Sequence, residues 1–262
     1  MHSASLSYHH TYHPATRIKR KKIRRRRRRR AFLLLVLACT AVWCVMSVAD
    51  NFRTDAALSE APESLQSLYE RNPDAREFVL DYASEHDKTH KIDLSEYAGI
   101  SEVPLLMQWD ERWGYDQYSG NYFGLSGCGP TCMSMVYIYL TGDTEKSPAF
   151  MGQFATEHGY ATEGDGTAWA FITDGGRELG LDVTEIPLDQ QRIDDNLEVG
   201  NPIICIMGPG EFTDSGHFIV LTGKENGKYV INDPNSYRNS EKRWDYDTFS
   251  GEIRDLWVMR SL

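Results

Sequence analysis

The sequence predicts an α+β domain carried behind one membrane-spanning helix, and three observations lead there. Residues 31–49 are nineteen consecutive uncharged, mostly apolar positions directly after a basic run. Residues 131–140 are apolar on almost every side, the mark of a helix buried inside a domain. Helical patterns come first and strand patterns last, with a hairpin signal between the final strands, which is an α+β order.

Charge is spread unevenly over the 262 residues. The formal net charge is −10, but twelve of the 28 Lys and Arg residues fall within 17–30, and residues 1–30 contain no Asp or Glu. The other 16 basic residues face all 38 acidic ones, a balance of −22 that argues against nucleic acid as a partner. At about 1.5 Å per residue the apolar stretch reaches roughly 28 Å, close to a bilayer core of about 30 Å. Residues 1–30 are therefore expected to form a cytoplasmic basic tail and 31–49 a signal-anchor, with everything after them outside the cell. Ser47-Val48-Ala49 has the small-x-small form that signal peptidase cuts. The alternatives are a retained single-pass anchor, which the long basic lead favours, and a chain secreted after cleavage at Ala49.

Residues 50–102 read as a polar tether followed by short helices. Leu65, Leu68 and Tyr69 are spaced i, i+3, i+4. Asn72 and Pro73 make a cap and first helical position, and Phe78, Val79 and Tyr82 then share one side. These helices are expected to pack on the main domain or to space it from the membrane, with no chemistry of their own. His86 and His90 have a spacing zinc can use, but no third ligand accompanies them, so a solvated pair is expected and no metal or cofactor is invoked.

The main domain, 103–262, opens with a short apolar strand at Val103 and an aromatic turn through Trp109 and Trp113. A Gly-, Tyr- and Asn-rich loop leads to the buried helix, which carries Pro130 in its first turn and stops at Thr141-Gly142. Helices are expected over 148–158, from the Gly164-Asp165-Gly166-Thr167 turn to about 179, and over 193–199. Strands follow at 202–207, from His217 to 222 and over 229–231, then a last helix or strand within 246–259. No internal repeat is present.

Cys128 stands at the N-terminal mouth of the buried helix, flanked by Gly127 and Gly129. Unpaired N–H groups and the positive dipole end favour a thiolate there, and small neighbours keep the sulfur approachable. A thiol nucleophile needs a base, which needs a third group to fix its tautomer. Four of the eight histidines precede the apolar stretch, and of the rest only His217 heads an apolar strand. Asp233 ends the partner strand, locked by Pro234, and is the candidate third group, although Asp-Pro-Asn is also good turn chemistry. Cys132 and Cys205 lie in apolar surroundings and Cys39 and Cys44 in the anchor, so no external disulfide is expected and Cys128 stays reduced.

Four ordered motifs resemble a known family: Gln108-Trp109-Asp110 with Trp113-Gly114, Gly127-Cys128-Gly129-Pro130-Thr131, Gly216-His217-Phe218 and Asn232-Asp233-Pro234. Together they are similar to the bacteriocin-processing, double-glycine-type cysteine peptidases, and more closely to their stand-alone bacterial relatives. The resemblance covers about 103–259. It implies a papain-like fold, with Cys128 as nucleophile, His217 as base and then acid, and Asp233 orienting the imidazole. It also implies Gln108 as a side-chain oxyanion donor beside the Cys128 backbone N–H. Two departures stand out. Gln108 lies twenty residues before the cysteine instead of a few, so Tyr122 or a backbone group is an alternative donor. No phosphate-binding Gly-Lys motif of a fused transporter is present, so double-glycine specificity does not carry over. The expectation is a membrane-anchored, extracytoplasmic cysteine peptidase acting on a peptide or protein through an acyl-enzyme. The alternatives are cell-wall amide hydrolysis or acyl transfer on the same residues, and an inactive peptide-binding module.

Hairpin geometry adds a stricter expectation. A bulge-free two-residue turn at Asn226-Gly227 sets Asp233 opposite Val220, on the face away from His217. An odd-length loop at Glu225-Asn226-Gly227, or a bulge near Asn232, sets it opposite Ile219, on the same face. An odd loop, or a compensating bulge near Asn232, is the expectation, with Asn235 or Asn232 as replacements should Asp233 point away.

Overall fold

The computed structural model describes residues 14–262 apart from position 165; the leader 1–13, with its four histidines, and Asp165 lie outside the described residues. The chain divides into two compact units, Met1–Ala56 and Ala57–Leu262. The described residues of the first belong to a helix running Pro14–Glu60. Phe32, Leu35, Trp43 and Val45 stand exposed on it. Ala31–Glu60 is, among the described residues, the one helix long and apolar enough to cross a membrane. The polar stretch expected as a tether is helical through Glu60, because residues 50–60 contain neither Gly nor Pro and the first breaker is Pro62.

The second unit is built on an antiparallel six-stranded sheet. Its strands are β5 (Leu181–Glu185), β6 (Ile203–Met207), β7 (His217–Glu225), β8 (Lys228–Asn232), β9 (Arg243–Trp244) and β10 (Ile253–Ser261), in the order β5-β10-β6-β7-β8-β9. Two small hairpins precede it, β1 (Gln117–Tyr118) with β2 (Asn121–Tyr122), and β3 (Ala161–Thr162) with β4 (Gly166–Thr167). β6 is buried throughout because both faces of the sheet are covered. Ile204 and Ile206 join the core around the central helix Cys128–Thr141, with Val136, Phe218 and Trp257. Ile203, Cys205 and Met207 face the other way, toward the Gln190–Glu198 helix, Trp244 and Phe249.

Local signals set most of these elements. Gly142 ends the central helix in the left-handed region (φ 72°), its N–H returning to the Ile138 carbonyl at 2.8 Å. The helix Pro148–Glu157 starts on Ser147, whose hydroxyl accepts from the Phe150 N–H. The apolar segment at Val103 forms no strand. It lies beside the end of β8, where the Asn232 amide donates to the Val103 and Pro104 carbonyls, and Pro104 has no N–H to extend a ladder. β5 and β9 carry no signal that was read in the sequence.

The β7–β8 hairpin answers the register question. Its turn has two residues, Asn226 (φ 52°) and Gly227 (φ 82°), with Glu225 facing Lys228. The expected odd loop is absent. The compensating bulge is present instead, at Thr222 of β7 across from Val230 and Ile231, one pair from Asn232, so Val220 pairs with Asn232. Asp233 therefore follows opposite Ile219, on the His217 side.

Candidate active site

Cys128 is the first residue of the central helix and is half-buried, whereas Gly127 and Gly129 are buried. The glycines serve packing more than access. A Cβ on Gly127 would meet the Phe123 ring at 2.3 Å, and one on Gly129 would meet Thr167 Oγ1 at 2.8 Å. Cys128 opens onto a cleft of about 510 Å³ that Ser126, Thr167, Trp169, Gly216 and His217 also line. One wall is tied together by Ser119, itself in the left-handed region (φ 56°). Its hydroxyl donates to the Thr162 carbonyl and accepts from the Gly166 N–H at 3.0 Å, joining the two small hairpins.

His217 heads β7, opposite Met207. Its Nε2 and Asp233 Oδ1 are 2.7 Å apart, and both side chains are almost wholly buried. Asp233 is held by further donors. Its Oδ1 accepts the Asn235 N–H at 2.8 Å, and its Oδ2 accepts the Asn239 side-chain amide at 2.7 Å. Its own N–H donates to Ser240 Oγ at 2.9 Å. With Nε2 engaged by the carboxylate, the other ring nitrogen is the one available to the thiol. Asn232 and Asn235, the named replacements, do other work: Asn232 braces Val103 and Pro104, and Asn235 supports Asp233 through its backbone.

The electrostatics follow from this geometry. Burial acts to raise the Cys128 pKa, but the hydrogen bond and charge of His217, with the Phe218 and Gly129 N–H groups, outweigh it and leave the thiol lowered. Burial acts to lower the His217 pKa, and the Asp233 charge and hydrogen bond, with Cys128, leave it raised. The two shifts point the same way, toward a thiolate beside an imidazolium. Cys132 and Cys205 are pushed up by burial. All five cysteines are free.

Gln108 is buried, its N–H donating to the Pro234 carbonyl at 2.8 Å and its Nε2 to the Gly124 carbonyl at 2.9 Å. Its Oε1 has no partner, and it does not line the cleft. Tyr122 turns to the Tyr82 hydroxyl at 3.0 Å. The sequence reading did not find Asn239, Ser240 and Ser119; their roles depend on loops that only the fold brings together. No cluster of three metal-ligating side chains occurs among the described residues, and His86 bonds to the Tyr82 carbonyl and Asp87.

Comparison with known proteins decides the family. The family model of the Peptidase_C39 like family matches residues 100–261, well over half of the chain. This chain belongs to the Peptidase_C39 like family. The peptidase domain of Streptococcus ComA, a bi-functional ABC transporter involved in a quorum sensing pathway, is similar at 20% identity over 61% of this chain and 99% of that one, with a TM-score of 0.44. A C39-like peptidase from Bacillus anthracis is similar at 14% identity over 66% of this chain and 98% of that one, with a TM-score of 0.40. No curated protein matches. As a C39-like chain, the protein has the expected mixed helix-and-sheet, papain-like architecture, and its family is one of cysteine peptidases.

Proposed function

We propose that this chain is a membrane-anchored cysteine peptidase that cleaves a peptide bond through Cys128, His217 and Asp233. The observation that carries the reading is the buried 2.7 Å contact between His217 and Asp233, at the cleft into which Cys128 opens. The Cys128 thiolate adds to the scissile carbonyl, and the His217 imidazolium gives its proton to the departing amine. The product of this step is a thioester. Neutral His217 then takes a proton from water, which attacks the thioester and releases the acid, and the thiol is restored. Asp233 keeps the ring oriented and favours its charged form.

The oxyanion is assigned to the Cys128 backbone N–H at the helix start, where the first N–H groups have no partner within the helix. Gln108 is its proposed side-chain helper, acting through the N–H of its amide that Gly124 does not take. Gly216, Ser126, Thr167 and the half-exposed Trp169 line the cleft beside Cys128 and offer small and aromatic surface to an extended peptide.

Residues 31–49 are proposed as the anchor, with the basic run 17–30 on the cytoplasmic side and the catalytic unit outside. Support comes from the exposed apolar helix and the basic flank. Labelling of the full chain with a thiol-directed activity probe, against Cys128→Ala, tests the chemistry. Peptides released outside cells carrying either form then identify the bond cut. A chain whose labelling is unchanged by Cys128→Ala is not this enzyme.

A further inference from the structure

Residues 61–80 precede the span the family model matches, yet they grip the loop that supports Asp233. We infer that this segment is a positioning device for His217, with Asn72 and Asp74 as its working residues, an inference that rests on the triad proposed above. Asn72 Nδ2 donates to the Asn235 carbonyl at 2.7 Å and to Asn235 Oδ1 at 2.9 Å. Asp74 Oδ2 accepts from Ser236 Oγ at 3.1 Å and from the Arg238 N–H at 3.3 Å. These contacts fix residues 235–238, which in turn fix Asp233. The Asn235 N–H goes to the same carboxylate oxygen that meets His217. Ser236 Oγ caps the short helix bearing Asn239, the donor to the other oxygen.

The segment has a firm seat from which to act. Leu65, Leu68, Ala75, Phe78 and Val79 are buried together with Met107, Trp109 and Tyr115. Phe78 stacks on Tyr115 at 4.3 Å and fills the space left by two glycines. A Cβ on Gly114 would meet its ring at 2.6 Å, and one on Gly124, four residues before Cys128, at 3.0 Å. Trp109 Nε1 reaches the Asn235 carbonyl as well, at 3.3 Å. The same twenty residues thus hold both the chain entering the Cys128 helix and the loop leaving Asp233.

The reporter is the pH dependence of Cys128 alkylation by iodoacetamide in the full chain, read cysteine by cysteine by mass spectrometry. The titratable groups around the thiol are His217, Asp233, Tyr118 and Cys132. Asn72→Asp keeps the acceptor that caps Asp74 but removes both donations to Asn235. Asp74→Ala removes the hold on Ser236 and Arg238 from a half-buried position and keeps the question answerable should Asn72→Asp fail to fold. Each is expected to move the midpoint upward, slowing alkylation at pH 6 about tenfold per pKa unit, with Cys132 and Cys205 still protected. Leu197→Ala, in the opposite core, should lower thermal stability and leave the midpoint in place. A folded Asn72→Asp or Asp74→Ala chain with the parent midpoint overturns the positioning role. Slow, unselective alkylation in the parent chain itself overturns the triad instead.

Discussion

Val220 of β7 faces Asn232 of β8, and this pairing is what brings Asp233 to the His217 side of the sheet. The tight Asn226-Gly227 turn would by itself set Asp233 against Val220, on the wrong face. The bulge at Thr222 restores the parity. Deleting Thr222 should close the ladder without the bulge while keeping Val220 opposite Asn232, and so leave the carboxylate on the imidazole. Alkylation of Cys128 at pH 6 should then stay at the parent level, well above that of Asp233→Ala, with far-ultraviolet circular dichroism retained. Alkylation that falls to the Asp233→Ala level in the deletion would show that this register does not suffice to orient the ring.

The thiol's pH profile carries a definite sign. Burial raises the Cys128 pKa, and His217 and the Phe218 and Gly129 N–H groups together lower it further than burial lifts it. Reactivity should therefore appear below the ordinary thiol value of about 8.5, and far sooner at Cys128 than at Cys132 or Cys205. His217→Ala leaves only the Phe218 and Gly129 N–H groups against burial, so the midpoint should move upward. Because His217 is itself raised, the ion pair should persist above the ordinary imidazole value of about 6.5. Iodoacetamide rates from pH 5 to 10 read both limits.

Gln108→Ala separates a donor from a strut. As an oxyanion donor it should lower kcat by about 10²–10³ and change KM little. Loss of thermal stability with kcat intact would confine Gln108 to holding Gly124 and Pro234.

Gly129→Ala should be costly because the new methyl has no room beneath Thr167. Overpacking of this kind costs about 1–3 kcal/mol and should tilt the helix start that presents Cys128. Adding Thr167→Gly to the same chain relieves the clash but removes the partner of the Tyr118 hydroxyl, so thermal unfolding should show only partial recovery.

Protease added to intact cells should remove the catalytic unit and spare residues 1–49. Resistance until lysis would place the unit on the cytoplasmic side.

Much of this arrangement could be read from residues alone, where the signal was local. The apolar run behind Cys128, the Gly142 stop and the Ser147 start each act within one turn of chain, and the helices fall there. His217 was distinguished by heading an apolar strand, and Asp233 by ending the next. What escaped depends on distant partners. Gly223 beside Thr222 is a local sign of a bulge, but only the pairing with Val230 and Ile231 fixes its place and its effect on Asp233. Asn72 reads as a helix cap, which it is, but its amide also meets Asn235, 163 residues later. Gly127 and Gly129 read as an open approach to sulfur, and only the fold brings Phe123 and Thr167 over them.

Trp169 stands half-exposed at the cleft rim, edge-on to the buried Trp257, while Trp113 and Trp244 are sealed in the core. An indole so placed is a built-in optical gauge. A peptide lying over Cys128 would strip water from one ring and leave the sealed tryptophans unchanged. Emission of the parent chain minus that of Trp169→Phe would then report cleft occupancy in real time, with no label attached and before any bond is cut.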